Sequence, residues 1–304
     1  MPELPEVQTT VDGINRFVKG LSIKDVWTNY NSSYYAGKDN IKDPKFFTHF
    51  KKEVVGKKIT GAKRRAKNVV IKLSCEGVIL VHLKMTGHLL YGDFNFEKKD
   101  TKDPWKGISP KSLTDPFNRH IRFIVSLSNG KHLALSDTRK FAKVTYIHKD
   151  ELEKTLHLEH IGPEPLEKDF GVKEFEVQLS KRQNWKVKQV LMDQSLIAGI
   201  GNIYSDEILW RAGVHPERKI KDISKKEFAL MHKAMKETLK KGIDFGGDSM
   251  SDYRNILGEK GKFQEMHNAY KLKGKKCKKK NCSGIILRKV VGGRSAHFCS
   301  VHQK

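Results

Sequence analysis

Two hydrophobic periods divide the chain. Asn68–Leu73 and Val78–Leu83 are nearly continuous apolar runs separated by Glu76-Gly77, which predicts a hairpin of buried strands. Ile121–Leu127 and Lys131–Leu135 form a second pair, joined around Asn129-Gly130, a dipeptide that tolerates the positive φ of a type I′ turn. Between the two pairs, residues 93–118 hold three prolines and many lysines and read as a long surface loop. A short helix over 6–18 is predicted ahead of the strands. After about residue 150 the spacing changes. Phe228, Met231, Met235 and Leu239 recur at i, i+3, i+7 and i+11, one face of a helix, with Ser224 and Glu227 as a capping box and Gly242 as its stop. Residues 184–196 and 203–212 also fit helices, separated by the glycine-rich Ala198–Asn202. The last 34 residues are too rich in Lys and Gly to bury a core of their own. The layout is multidomain α+β: a β domain over 1–150, a helical domain over 151–268 and a small appendage over 269–304.

Composition sharpens this picture. A chain of 304 residues is long enough for two cores at roughly 150 residues per domain. Lys plus Arg number 59 against 35 Asp plus Glu, a formal charge of +24, which points to a polyanionic partner. No apolar run approaches the roughly 18–20 residues of a membrane span, so no membrane association is expected. The opening MPELPEVQTT has neither the basic nor the apolar region of a signal peptide. Only four cysteines occur, three of them in the last 28 residues, which excludes a disulfide-stapled secreted protein. A soluble, intracellular, basic protein is expected.

The three late cysteines carry a pattern. Cys277 and Cys282 enclose four residues, sixteen more follow, and Cys299 and His302 enclose two. Two short-spaced ligand pairs at the ends of a hairpin suit one tetrahedral, structural zinc ion. Metal–ligand bonds would supply the stability that so polar a tail lacks. The spacing favours His302 as the fourth ligand, with His297 as the alternative. Cys75 sits in an apolar strand and reads as a core residue.

The amino terminus offers a second chemistry. Met1 precedes the small residue Pro2, so the methionine is expected to be removed. The exposed secondary amine belongs to a class with pKa near ~8, against ~10.4 for lysine, and its neutral fraction is a nucleophile able to form a Schiff base with a sugar aldehyde. Glu3 and Glu6 place two carboxylates beside it for acid–base work.

Pro2-Glu3-Leu4-Pro5-Glu6-Val7 resembles the opening of the formamidopyrimidine-DNA glycosylase / endonuclease VIII family of bifunctional repair enzymes. Arg64-Arg65-Ala66-Lys67-Asn68 resembles the family's basic strand entry, and His82-Leu83-Lys84-Met85-Thr86-Gly87 its H-L-x-M-[ST]-G element. Asp137-Thr138-Arg139-Lys140-Phe141 resembles the D-x-R-x-F loop, Ile161–Leu166 the interdomain segment, and Gly199–Tyr204 the turn of the helix–two-turn–helix. The cysteine cluster falls where the family has its zinc finger. These elements run in family order from 2 to 302. The resemblance implies an N-terminal β-sandwich with a flanking helix, a helical H2TH domain and a C-terminal zinc-finger hairpin.

It also implies roles. Pro2 would attack C1′ of a damaged nucleotide, Glu3 would donate the proton that opens the sugar, Glu6 would order the site, Lys67 would serve β-elimination, and Arg294 would hold phosphate and aid δ-elimination. Chemistry at C1′ requires the nucleotide to leave the stack, which costs a few kcal/mol and leaves a hole. Met85, Arg139 and Phe141 match the family's void-filling residues. Asn202 opens a helix whose free N–H groups suit a phosphate, and Arg182 adds a second contact. The seven lysines within 271–280 would supply salt-sensitive, nonspecific affinity. The implied partner of this monomeric enzyme is double-stranded DNA carrying oxidised bases or abasic sites.

Some features depart from the family's bacterial pattern. The finger has a four-residue first spacing and ends in histidine, residues 93–118 are longer, and Asn118 stands where a DNA-contacting histidine is common. Leu4 favours the formamidopyrimidine branch, and Asp244–Met266 fits that branch's base-capping loop. The expected substrates are therefore 8-oxoguanine and formamidopyrimidines. An endonuclease VIII-like enzyme for oxidised pyrimidines is the alternative, and a non-enzymatic reader of damaged DNA a more distant one.

Overall fold

The computed structural model of the chain describes residues 1–155 and 158–304, the Glu153 side chain excepted. Two compact units form: Met1–Glu159 with Phe245–Lys262, and His160–Asp244 with Phe263–Lys304. Against the expectation of one helical domain through 151–268, the segment Phe245–Lys262 folds with the first unit. Its ends meet, Lys262 N donating to Phe245 O at 2.8 Å, and its Ile256 is buried in that unit's core. The C-terminal appendage belongs with the second unit.

In the first unit, α1 spans Leu4–Phe17, β1 Ile23–Thr28, α2 Pro44–Val54, β2 Ile59–Arg65, β3 Asn68–Leu73, β4 Gly77–His82, β5 His88–Phe96, β6 Trp105–Ser109, β7 Ile121–Leu127, β8 His132–Ser136 and β9 Lys143–His148. One sheet has the order β1-β7-β8-β5-β6 and the other β2-β3-β4-β9, and every pairing is antiparallel. Both expected hairpins are present, as β3–β4 and β7–β8. Leu89, Val125 and Leu135 of the first sheet share a core with Val69, Ile79 and Val144 of the second, so this is a sandwich. Burying each such side chain contributes about 1.5–3 kcal/mol.

Strand alternation gives the first sheet a second apolar face. Leu89 and Tyr91 enter the shared core, while Leu90 and Phe94 pack with Leu113, Ile124 and Ala134. A register shift between Ile121 and Phe123 turns Ile121 to that second face although Phe123 lies in the core. The expected loop at 93–118 is thus partly a strand. Its polar composition hides β6, which pairs with β5 and seats Trp105 against Trp27 and Phe96, ring centroids 6.0 and 5.2 Å away.

In the second unit, α3 spans Val172–Ser180, α4 Val187–Leu191, α5 Asn202–Ala212, α6 Lys225–Asp244, β10 Ile286–Val291 and β11 Arg294–Cys299. The capping box ahead of α6 is reciprocal: Ser224 N donates to Glu227 Oε2 (2.8 Å) and Glu227 N to Ser224 Oγ (3.3 Å). The helix runs through Gly242, which is buried, rather than stopping there. The helix expected over 184–196 shrinks to the five residues of α4. Asp193 Oδ1 captures Ser195 N at 3.0 Å, and Gln194 bonds Ile200 O and Gly199 N, so side chains take over backbone groups that a helix would use.

Two consecutive acids of α5 hold the C-terminal part in this unit. Asp206 Oδ2 accepts from His297 N (2.9 Å) and Nδ1 (2.8 Å), and its other oxygen pairs with the fully buried Lys188. Glu207 accepts from the backbone N–H groups of Asn268, Ala269 and Tyr270 at 2.9–3.0 Å. The β10–β11 turn is Gly292-Gly293, φ +57° and +74°, the two positive values of a type I′ turn. Among the described residues no helix is long and apolar enough to cross a membrane.

Candidate functional site

In the first unit the site begins at the N-terminal turn of α1. Pro2, Glu3 and Glu6 are buried. Glu3 caps the helix, and Glu6 Oε2 accepts from Glu3 N at 2.7 Å in a capping box. Helix α1 lies along β2. Asn15 exchanges two hydrogen bonds with the Ala62 backbone (2.9 and 2.7 Å), and Gln8 Oε1 accepts from Arg64 Nε (3.0 Å). That register directs the first turn of α1 toward the β2–β3 turn, Ala66-Lys67, where Ala66 has φ +52° and Lys67 is 6% exposed. Two carboxylates and an ammonium are thus held by the same docked pair, with little water around them.

Two loops of this unit present exposed side chains from a rigid base. Met85 (40% exposed) follows Lys84, whose φ is +54°, and Phe141 (46%) follows Lys140, φ +57°. The Arg139 guanidinium stacks on the Phe141 ring at 4.6 Å. Asp137, fully buried, ties the loops together. Its Oδ1 accepts from Thr86 Oγ1 (2.5 Å), and its Oδ2 from Ala142 N (2.7 Å) and the Tyr30 hydroxyl (3.0 Å). Arg139 N in turn donates to Thr86 Oγ1 at 3.1 Å. Below them Lys42 Nζ donates to Lys140 O (2.6 Å) and lies over the Tyr30 and Tyr35 rings at 4.9 and 4.7 Å. Burial pulls the Lys42 ammonium down to about 8; Asp137 opposes that, and Lys143 and Lys84 add to it.

Sequence reasoning named Met85, Arg139 and Phe141, quoted Asp137 and Thr86 only as motif positions without a role, and missed Tyr30 and Lys42; these four shape the loops. The signals for the pair were the Asp of Asp-Thr-Arg-Lys-Phe and the Thr of His-Leu-Lys-Met-Thr-Gly; Tyr30 and Lys42 had none. Asn118 has a structural place: it is 1% exposed, donates to Ser112 O and Gly258 O (2.8 and 3.1 Å), and its Oδ1 bonds His88 Nε2 (2.9 Å).

The second unit carries the remaining expected residues. Asn202 is the first residue of α5 after Gly201, and its Oδ1 is buried without a hydrogen-bond partner among the described residues. Arg182 is exposed and stacks over the half-exposed Trp185 at 5.3 Å. Arg294 is exposed beside the Gly292-Gly293 turn.

Cys277, Cys282, Cys299 and His302 offer ligand atoms that all lie within 4.8 Å of one another. Cys282 Sγ is 3.5 Å from Cys299 Sγ, and Cys277 Sγ is 3.4 Å from His302 Nδ1. Metal–sulfur bonds of roughly 2.3 Å in a tetrahedron would separate sulfurs by about 3.8 Å, so the donor set fits a four-coordinate ion. The N–H groups of Lys279, Gly284 and Val301 point at the three sulfurs, each at 3.4 Å. A Cβ on Gly284 would stand 2.5 Å from Cys299 Sγ. His302 Nε2–H donates to Trp210 O (2.9 Å), which leaves Nδ1 as the lone-pair nitrogen facing the sulfurs. His297 is engaged by Asp206, so His302 is the fourth donor. The apolar support is small and partly borrowed: Trp210 of α5 packs with Ala269, Cys277, Ile286 and Cys299.

Comparison with known proteins assigns this architecture to a class. Residues 1–144 match the formamidopyrimidine-DNA glycosylase N-terminal domain and 161–254 its H2TH domain. A formamidopyrimidine-DNA glycosylase of Bacillus subtilis is 36% identical over 99% of this chain and 98% of its own; one of Pelotomaculum thermopropionicum is 34% identical over 100% and 99%. The structure of Lactococcus lactis Fpg in complex with DNA containing an abasic site has a TM-score of 0.81 and 30% identity, covering 99% of each chain. The same enzyme bound to N7-benzyl-Fapy-dG DNA gives 0.80 and 31%, covering 100% of each. The chain belongs to the formamidopyrimidine-DNA glycosylase family of DNA glycosylase/AP lyase enzymes.

Proposed function

We propose that this chain removes oxidised bases from double-stranded DNA and cleaves the resulting abasic site, with the Pro2 amine as nucleophile once Met1 is removed. The amine attacks C1′, the C1′–base bond breaks, and the base leaves with a proton. Glu3 supplies the proton that opens the sugar, and the product is an iminium at C1′. Lys67 serves loss of the C2′ proton, which expels the 3′ phosphate, and Arg294 stabilises the second departing phosphate in δ-elimination. Met85, Arg139 and Phe141 fill the gap left by the extruded nucleotide. Asn202 and Arg182 contact backbone phosphate. Cys277, Cys282, Cys299 and His302 hold one structural zinc ion, which supplies folding energy to the hairpin and takes no part in the chemistry.

The observation that carries this reading is the burial of Glu3 and Glu6 as a capping pair on the turn that follows Pro2. Helix capping alone needs neither a glutamate at the cap nor its burial. Oxidised purines are the first substrate class. Oxidised pyrimidines are the second, favoured by a matching Lactococcus lactis complex with oxidised-pyrimidine DNA. Borohydride trapping on duplexes with 8-oxoguanine, thymine glycol or an abasic site tests the proposal, with intact mass confirming loss of Met1. A covalent adduct that vanishes in Pro2→Gly is the expected result. Tight binding with no adduct on any of the three would overturn it.

A further inference from the structure

The first unit contains a buried cation that no step above uses. Arg254 is 1% exposed. Its Nε and Nη2 donate to Asp115 Oδ2 and Oδ1 (3.2 and 3.5 Å), and its Nη1 donates to Ser251 O (3.1 Å) and Tyr253 O (2.9 Å). The guanidinium lies 4.5 Å from the Phe117 ring. Asp115 is pushed up by burial, but the Phe117 amide and Arg254 outweigh this and leave its carboxyl below the usual range. A buried arginine with four acceptor contacts and a ring face is satisfied in one position only.

That position bears on Glu6. The loop Phe245–Lys262 is anchored on one side by Ile256 O, Leu257 O and Gly258 O, which accept from Tyr91 N (2.6 Å), Ser112 Oγ (2.5 Å) and Asn118 Nδ2 (3.1 Å). On its other side Asp248 N donates to Glu6 Oε1 (2.8 Å), and the Tyr253 hydroxyl donates to Glu6 O (3.0 Å). Burial and the nearby Glu6 push the Tyr253 phenol up, so it is a donor at neutral pH. Tyr253 is therefore gripped at both ends: Arg254 and Ser249 Oγ (2.8 Å) hold its carbonyl, and its hydroxyl bonds the helix turn that carries Glu6. Gly247, at φ +84°, passes so close to Glu6 that a Cβ there would be 2.9 Å from its Cγ.

We propose that Arg254, latched to Asp115 and Phe117, is a positioning residue for the reaction centre, acting through Tyr253 and Asp248 on Glu6. The inference rests on the chemistry proposed above and extends it to a residue outside the catalytic set. The 3₁₀ turns at Lys111–Thr114 and Pro116–Asn118 take part as well, because they present Asp115 and Phe117 to the latch.

The test uses the full chain with Pro2 exposed and three variants: Arg254→Leu, Arg254→Lys and Tyr253→Phe. Amide hydrogen exchange over 246–258 is measured without DNA, and single-turnover borohydride trapping and duplex Kd on an abasic-site duplex. Arg254→Leu is expected to speed exchange at least about tenfold and to slow trapping about tenfold, with Kd within about twofold. Arg254→Lys should recover part of both. Tyr253→Phe leaves the latch in place and should slow trapping by a smaller factor without releasing 254–258; it keeps the idea testable if Arg254→Leu fails to fold. Unchanged exchange in both Arg254 variants would sink the latch. So would parent-like trapping in Arg254→Leu with raised exchange, or in Tyr253→Phe. A parent that traps nothing overturns the proposed function instead, and the exchange measurements then decide the latch by themselves.

Discussion

The loops that carry Met85, Arg139 and Phe141 and the hairpin that carries Arg294 pose the same physical problem: each presents exposed side chains on a short stretch with little apolar support. The first unit solves it with Asp137, a fully buried carboxylate that accepts from Thr86, Tyr30 and Ala142. The second brings three thiols and an imidazole within 4.8 Å beside a small core around Trp210. Asp137 needs only residues of its own unit, because its partners are donors and the site is complete when the loops that carry Tyr30, Thr86 and Ala142 have closed around it. Three thiols gain little from one another, whereas as ligands of a cation they would hold both ends of the hairpin together. One device is therefore intrinsic to the chain, and the other, under the proposed zinc site, is conditional on an ion the chain would acquire.

Withdrawing metal separates them most strongly. A high-affinity chelator, or Cys299→Ser, is expected to unfold the β10–β11 hairpin, because structural zinc contributes on the order of 10 kcal/mol in isolated fingers. Amide exchange over 272–304 should rise to unprotected rates while the protection of β3, β4 and β7 stays as it was. Equal loss of protection in both units would end the distinction.

Asp137→Ala is the reciprocal experiment and has the next largest effect. Three donors lose their acceptor at roughly 1–3 kcal/mol each, and with water and relaxation recovering part of that sum a loss of about 3–5 kcal/mol is expected in urea unfolding of the first unit. The cysteine–histidine hairpin should keep its metal affinity. Asp137→Asn retains one acceptor oxygen and should fall between the two.

The smallest effect is a pH dependence beneath the same loop. Lys42 holds its proton less tightly folded (about 8) than unfolded (10.5), so the native state binds fewer protons between those values. The parent therefore loses stability as pH falls from about 10.5 to about 8 and is level below that. Lys42→Met lacks this dependence. The stability of the variant relative to the parent should rise by on the order of 1–2 kcal/mol as pH is lowered from 10 to 7.5, and thermal melts at the two values measure it. A pH-independent difference would show that Lys42 keeps an ordinary ammonium.

What could be read from the sequence follows from how each feature is encoded. The β3–β4 and β7–β8 hairpins were legible because apolar runs are local signals, although the Asn129-Gly130 turn is not type I′, since only Gly130 takes a positive φ, and α6 was legible because Ser224 and Glu227 mark its start. The cysteine–histidine cluster was legible because short ligand spacing brings such residues together, although only the bonds of His297 to Asp206 and of His302 to Trp210 O separated the two histidines. Strand β6 was hidden, since its partners Trp27 and Phe96 lie in other segments. The return of Phe245–Lys262 to the first unit was hidden too. Nothing near Arg254 in sequence announces Asp115, and burial of an arginine is unexpected until its partner is known.

The bond between Asp248 N and Glu6 Oε1 joins residues 242 positions apart. During synthesis the amino terminus emerges first, yet its carboxylate lacks this partner until almost the whole chain has been made. At about 5–20 residues per second that interval is on the order of tens of seconds. The helix that starts at Leu4 carries its own local cap, but Glu6 gains its Asp248 bond only from a loop synthesised after α6. A product stalled before Asp248 would carry Pro2, Glu3 and Glu6 without the Asp248 and Tyr253 bonds to Glu6, so under the proposed chemistry arrival of that loop is a checkpoint on the reactive centre.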